Sequence, residues 1–141
     1  MKMRRMIEYT VVFAAGAVLY STIEVLWRGY THPSMAATGG ACLAAMYAYD
    51  KTHEKCSLPA KALYGACLIT SAEFVVGCAV NLLLGQRVWD YSGFRFNLLG
   101  QICLLYSILW YFLSIPAFLL CRFTRRLFRA GSCESNLNMI K

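Results

Sequence analysis

The sequence predicts an all-α membrane protein of four transmembrane helices, paired as two hairpins with N- and C-termini cytoplasmic. Three observations carry this. Hydrophobic residues fill 59% of the 141 positions and charged residues only 15%, against about 25% charged in an average soluble domain. The apolar residues gather into four segments, 9–27, 33–49, 63–84 and 97–120, each close to the roughly 20 residues that cross a bilayer. The basic residues divide unevenly between the two sides that four spans create. Lys2, Arg4, Arg5, Lys51, Lys55, Lys61, Arg122, Arg125, Arg126, Arg129 and Lys141 fall on one side, and only Arg28, Arg87 and Arg95 on the other, so the first side is the cytoplasmic one. Four spans with their connections nearly exhaust the chain, so residues 1–141 are read as one integral membrane domain, multi-pass, in the plasma membrane.

Composition also excludes. The net charge of +7 could suit nucleic acid, but the basic residues flank apolar segments, where they act as topology signals and contacts to anionic lipid at the cytoplasmic face. No nucleic-acid partner is expected. Seven cysteines show no paired CxxC spacing, which argues against a disulfide framework or a zinc site. His32 and His53 are single and fall on opposite sides. No HExxH or GxSxG string is present, so the chain is not read as an enzyme, and no cofactor or metal is expected.

The first segment, Tyr9 to Trp27, is interrupted only by Glu24. It reads as a transmembrane helix rather than a cleaved signal, because the small residues Ala15, Gly16 and Ala17 would leave too short an apolar core before them. Pro33 ends one helix and can open the next. The second segment repeats small residues at four-residue spacing, Ala36, Gly40, Ala44 and Ala48. In lipid such a face lets another backbone approach closely, so this is the expected packing helix and a basis for a homo-oligomer or larger membrane complex.

Residues 50–61 form a polar connection. In the third segment Glu73, Gly77 and Asn81 fall at i, i+4 and i+8 with Thr70 one turn earlier, a polar, small-residue stripe that should face protein. Residues 85–96 form a turn, and the fourth helix is expected from Asn97 to Leu120 with Pro116 bending it. Arg122, Arg125, Arg126 and Arg129 then share one helical face in a basic amphipathic tail, 121–130, suited to lying along the lipid surface. Gly131 and Ser132 are expected to end that helix, and the last residues to be loose.

An acid inside a membrane costs roughly 2.5–3.5 kcal/mol on insertion scales and marks a functional site by default. Glu24 has a local explanation in an ion pair with Arg28 at i,i+4. Glu73 has no such neighbour on its own helix. Its carboxyl must carry a proton or pair across helices, with Arg28, Arg87 or Arg95. Asp90 can bind an arginine and pin the turn, with Trp89 and Tyr91 anchoring it at headgroup level. Asn97 is either the cap of helix four or an amide facing a ligand. Tyr106, Trp110 and Tyr111 either line a cavity or fill the bundle core.

Glu73, the string Trp89, Asp90, Tyr91, Ser92, and the following Phe96, Asn97, Gly100, Gln101, Ile102 and Cys103 resemble the signature of a family of small membrane proteins, the putative ABC-transporter type IV (CmpB-like) family, to which a group of eukaryotic four-span proteins is related. In the first hairpin, Glu24 followed by Arg28, Gly29, Tyr30, Pro33 and Gly39 is similar to that family's acidic residue and Arg-Gly-aromatic turn. The resemblance covers roughly residues 7 to 120. Gln101 stands where a basic residue is expected. The family name implies a permease. No GxxxxGK[ST] string is present, so any ATPase is a separate chain.

Together these readings favour a small permease-like or transporter subunit. Its ligand- or ion-binding residues would be Glu73, Asn81, Asn97 and Glu24, with an outer turn of Trp89, Asp90, Tyr91, Ser92 and Arg28, and an unidentified small solute or a proton as cargo. The alternative is a non-transporting adaptor or lipid-binding module in which the acids are structural clasps.

Overall fold

The computed structural model describes residues 2–138, with side chains from 3 to 130. Among the described residues there are four helices: α1 (Lys2–Arg28), α2 (Pro33–Thr52), α3 (Leu58–Gly77, continued as a π-helical turn Cys78–Leu83) and α4 (Leu104–Asn138). α1 packs chiefly on α2, and α3 on α4, so the chain is two antiparallel hairpins. The hydrogen bond from the Arg4 guanidinium to the Phe128 carbonyl joins the start of α1 to the late part of α4. That end, which also holds the α2–α3 connection, is called here the termini end, and the other the turn end.

Three helical stretches, Met3–Arg28, Leu58–Leu83 and Leu104–Ala130, are long and apolar enough to cross a membrane. α2 falls short of that standard. Glycine, serine and threonine lower its hydropathy, and nine of its residues are buried by protein rather than offered to lipid. Large apolar side chains such as Val18, Leu26, Val75, Leu83 and Phe112 point outward on the other helices, the inverse of a soluble surface.

Close backbone crossing holds the first hairpin together. A Cβ on Gly39 would sit 2.3 Å from Tyr20 Cβ, and one on Gly16 2.7 Å from the Gly39 carbonyl oxygen, so α1 and α2 approach through glycines. Gly40 of the small-residue ridge meets Phe13 in the same way, and Ala36, Ala44 and Ala48 are half-buried. Pro33 occupies the first turn of α2 behind His32, whose ring accepts from the Ser34 N–H at 3.3 Å.

Two expectations are corrected at the helix ends. Residues 97–103 are not the start of α4 but a two-stranded hairpin, β1 (Asn97–Leu98) against β2 (Ile102–Cys103). Leu99 and Gly100 both take positive φ, 53° and 68°, and the Gln101 N–H closes the turn on the Leu98 carbonyl at 3.0 Å, the pattern of a tight hairpin turn. At the far end α4 runs through Gly131 and Ser132 to Asn138, because a single glycine costs only about 1 kcal/mol in a helix. The final residues expected to be loose, 139–141, lie outside the described residues.

Candidate functional site

Glu73 sits where three helices meet. On α3 the ridge Gly65, Ile69, Glu73, Gly77 is buried, and its small members admit α4 closely: a Cβ on Gly65 would lie 2.4 Å from Ser114 Oγ. Glu73 is 2% exposed. The Tyr20 hydroxyl of α1 donates to Oε1 at 3.1 Å and the Trp110 indole N–H of α4 donates to Oε2 at 2.8 Å. Tyr20 and Trp110 also stack, their centroids 5.7 Å apart at 26°. None of the three arginines expected as partners reaches Glu73. Arg28 is held by Glu24 and by the Val88 carbonyl at 3.2 Å, while Arg87 and Arg95 are exposed in the turn.

Glu24, one turn beyond Tyr20, forms the expected ion pair with Arg28 and also accepts from the Thr31 hydroxyl at 2.6 Å. Beside it lies a cavity of about 420 Å³ bordered by Tyr20, Glu24, Arg28, Tyr91, Tyr106 and Trp110 among others. Glu73 is not on its wall, although both residues that donate to Glu73 are.

Asn81 and Gln101 belong to a different cluster, a cap that closes the turn end. Asn81 Nδ2 donates to the Trp89 carbonyl at 3.1 Å and to Gln101 Oε1 at 2.8 Å, and Asn81 Oδ1 accepts from the Val88 N–H at 2.7 Å. The Trp89 indole donates to the Gln101 carbonyl at 2.9 Å. Trp89 is therefore buried inside the cap. Gly77 makes room for it, since a Cβ there would lie 2.6 Å from Gln101 Oε1. The π-helical turn turns Asn81 toward these partners by widening the helix at Cys78–Leu83.

Asn97 is exposed. It bridges the turn, with Nδ2 donating to the Phe94 carbonyl at 2.8 Å and Oδ1 accepting from the Gly100 N–H at 3.1 Å, so it neither caps α4 nor lies near Glu73. Asp90 accepts from the Ser92 N–H at 2.8 Å rather than from an arginine, and that bond holds its carboxyl below its ordinary range. Tyr91 stacks on Tyr106 at 4.6 Å.

The arginine face of α4 meets acids, not open space. Asp50, at the end of α2, is wholly buried with Lys61. Arg125 lies 3.3 Å from Asp50 Oδ2 and Arg122 3.6 Å from Oδ1. Arg125 and Arg129 both reach Glu54, at 2.8 and 2.7 Å. Of the four arginines read as lipid contacts, Arg126 faces outward without an ion pair among the described residues. Sequence reasoning missed this cluster, and the signal for it was present: Asp50 and Glu54, four apart, match the spacing of Arg122, Arg125 and Arg129 on a parallel helix. It also missed Tyr20 and Trp110 as donors to Glu73, for which spacing within one helix gives no signal.

A helical protein with three helices fit to cross a membrane, and a buried acid at their meeting point, is membrane-embedded by class. A family model described as Putative ABC-transporter type IV matches residues 12–132, and the chain belongs to that family. No curated protein and no solved structure matches it.

Proposed function

We propose that the protein is a small permease-like or transporter subunit that holds a proton or a small cation at Glu73. In this reading all four helices cross the plasma membrane, with the termini end in the cytoplasm. α2 crosses in spite of its lower hydropathy because its neighbours shield it. Arg126 meets anionic headgroups, no covalent chemistry is assigned to the chain, and copies of it, or other subunits including any ATPase, complete the assembly.

The observation that supports this most is that both oxygens of Glu73 accept from neutral donors, one on α1 and one on α4. The ionised carboxyl keeps its full negative charge in that setting, so a proton or cation arriving there has charge to neutralise. A proton on Oε2 would also oppose the Trp110 N–H, which can only donate, whereas the Tyr20 hydroxyl can reverse its bond. Loading Glu73 therefore loosens one side of the α1–α4 seam before the other. Glu73→Gln tests this: in proteoliposomes with an imposed pH gradient and an internal pH-sensitive dye, flux should fall by about tenfold or more. Unchanged flux in a folded variant would sink the proposal.

The completeness of the hydrogen bonding around Glu73 and Glu24 favours a second reading, a non-transporting adaptor with the acids as clasps. It requires no flux even from the wild type, together with a lower melting temperature for Glu73→Gln.

A further inference from the structure

α1 and α4 border each other loosely, and two cavities lie along their seam. The first, about 420 Å³, is the one beside Glu24 and Arg28. The second, about 240 Å³, shares Tyr20, Ile23, Leu113 and Pro116 with it and continues to Gly16 and Leu120. Because α1 and α4 run antiparallel, the shared residues join the two end to end, from the turn end toward the termini end. Polarity changes along the way. The deeper cavity is walled by hydrocarbon such as Leu43, Ile69 and Leu120, while the upper one carries a carboxylate, a guanidinium and several aromatic rings. The larger volume falls in the roughly 300–1,000 Å³ range of small-molecule sites, and the smaller one extends it.

We propose that this seam is a binding site for a single-chain zwitterionic phospholipid, its alkyl chain in the deeper cavity and its phosphate and ammonium groups beside Arg28, Glu24 and the aromatic rings. Charge complementarity selects the headgroup. Arg28 spends N–H groups on Val88 and Glu24 but carries five in all, and a guanidinium suits phosphate. Glu24 supplies the matching negative charge one turn away. Trp27 and Tyr106, joined by an indole-to-hydroxyl bond of 3.1 Å, and Tyr91 stacked on Tyr106 offer π faces of the kind that hold alkylammonium groups. A wholly apolar occupant would leave the charged pair unused, and a wholly polar one could not fill the deeper cavity. Glu73 itself does not border the site, although its donors Tyr20 and Trp110 do, and binding of the lipid does not require transport by Glu73.

The test uses the full chain in nanodiscs with a lysophosphatidylcholine bearing a diazirine near the end of its chain. Photolabelling should saturate and map to α1 and α4 residues of the seam. Unlabelled lysophosphatidylcholine should compete at least tenfold better than alkyl maltoside, lysophosphatidylglycerol or alkyltrimethylammonium of equal chain length. Leu113→Trp, and independently Ile23→Trp if the first fails to fold, should cut seam labelling about tenfold, while Leu63→Trp, which borders neither cavity, leaves it unchanged. Labelling spread evenly over the lipid-facing helices would overturn the site. Equal competition by maltoside, by the anionic lipid or by the phosphate-free cation would overturn the headgroup assignment.

Discussion

At the termini end a carboxylate buried among three cations ties α2 to α3 and α4, whereas the cap at the turn end is built on two side-chain amides and an indole that carry no formal charge themselves. The two devices differ in how they fail. Charges stripped of water hold each other firmly once in place, yet their net contribution is small because desolvation offsets attraction. Neutral amides contribute less each but leave less behind when one is lost.

Removing Asp50 should do the most damage. Asp50→Ala leaves the Lys61 ammonium, which is 0% exposed, without its counter-charge, a loss of about 3–5 kcal/mol read as a lower melting temperature in detergent. Replacing both ends, Asp50→Leu with Lys61→Met, should recover much of that loss. If the double variant is no better than the single one, the contrast between the two ends collapses.

Gln101→Ala comes next. It takes away one of the two acceptors of the Asn81 amide and should cost about 1–3 kcal/mol, with faster hydrogen exchange confined to residues 84–103 as the local readout. Equal exchange throughout the chain would mean that the cap is not a separate unit.

The smallest effect belongs to the rim of the charged end. The hydrogen bond from Arg129, aided by the charges of Arg125 and Arg129, holds Glu54 below its ordinary pKa. A carboxyl with a lowered folded-state pKa adds stability that is complete above its unfolded pKa, near 4.3, and is lost as pH falls through the lower folded value. Glu54→Gln should therefore bring the wild type and variant melting curves together at acid pH and separate them slightly at neutral pH. The separation should shrink with added salt, because Glu54 and Arg129 are exposed.

The four helices were legible in the sequence because apolar runs and basic flanks report directly on lipid. The small-residue pattern of α2 pointed to close packing, though its tightest contact uses Gly39, beside the ridge that the spacing named. What sequence could not supply was the facing partner. The stripe Glu73, Gly77, Asn81 is buried as one face, but Glu73 meets Tyr20 and Trp110 while Asn81, past the π-helical turn, meets Gln101. The four arginines do share a face, and only the fold says that Asp50 and Glu54 stand opposite. Likewise Asn97 was read as a helix start because apolar residues follow it, and the left-handed pair Leu99 and Gly100 makes a hairpin there instead.

The chain's three tryptophans fall one to each environment. Trp27 is 70% exposed on the outer surface of α1, Trp110 is 8% exposed beside the Glu73 carboxyl and Trp89 is 6% exposed within the cap. The molecule thus carries its own optical reporters, set apart by exposure and by neighbours, and their emission separates a change at the outer surface of α1 from one at the carboxyl or in the cap without any added label.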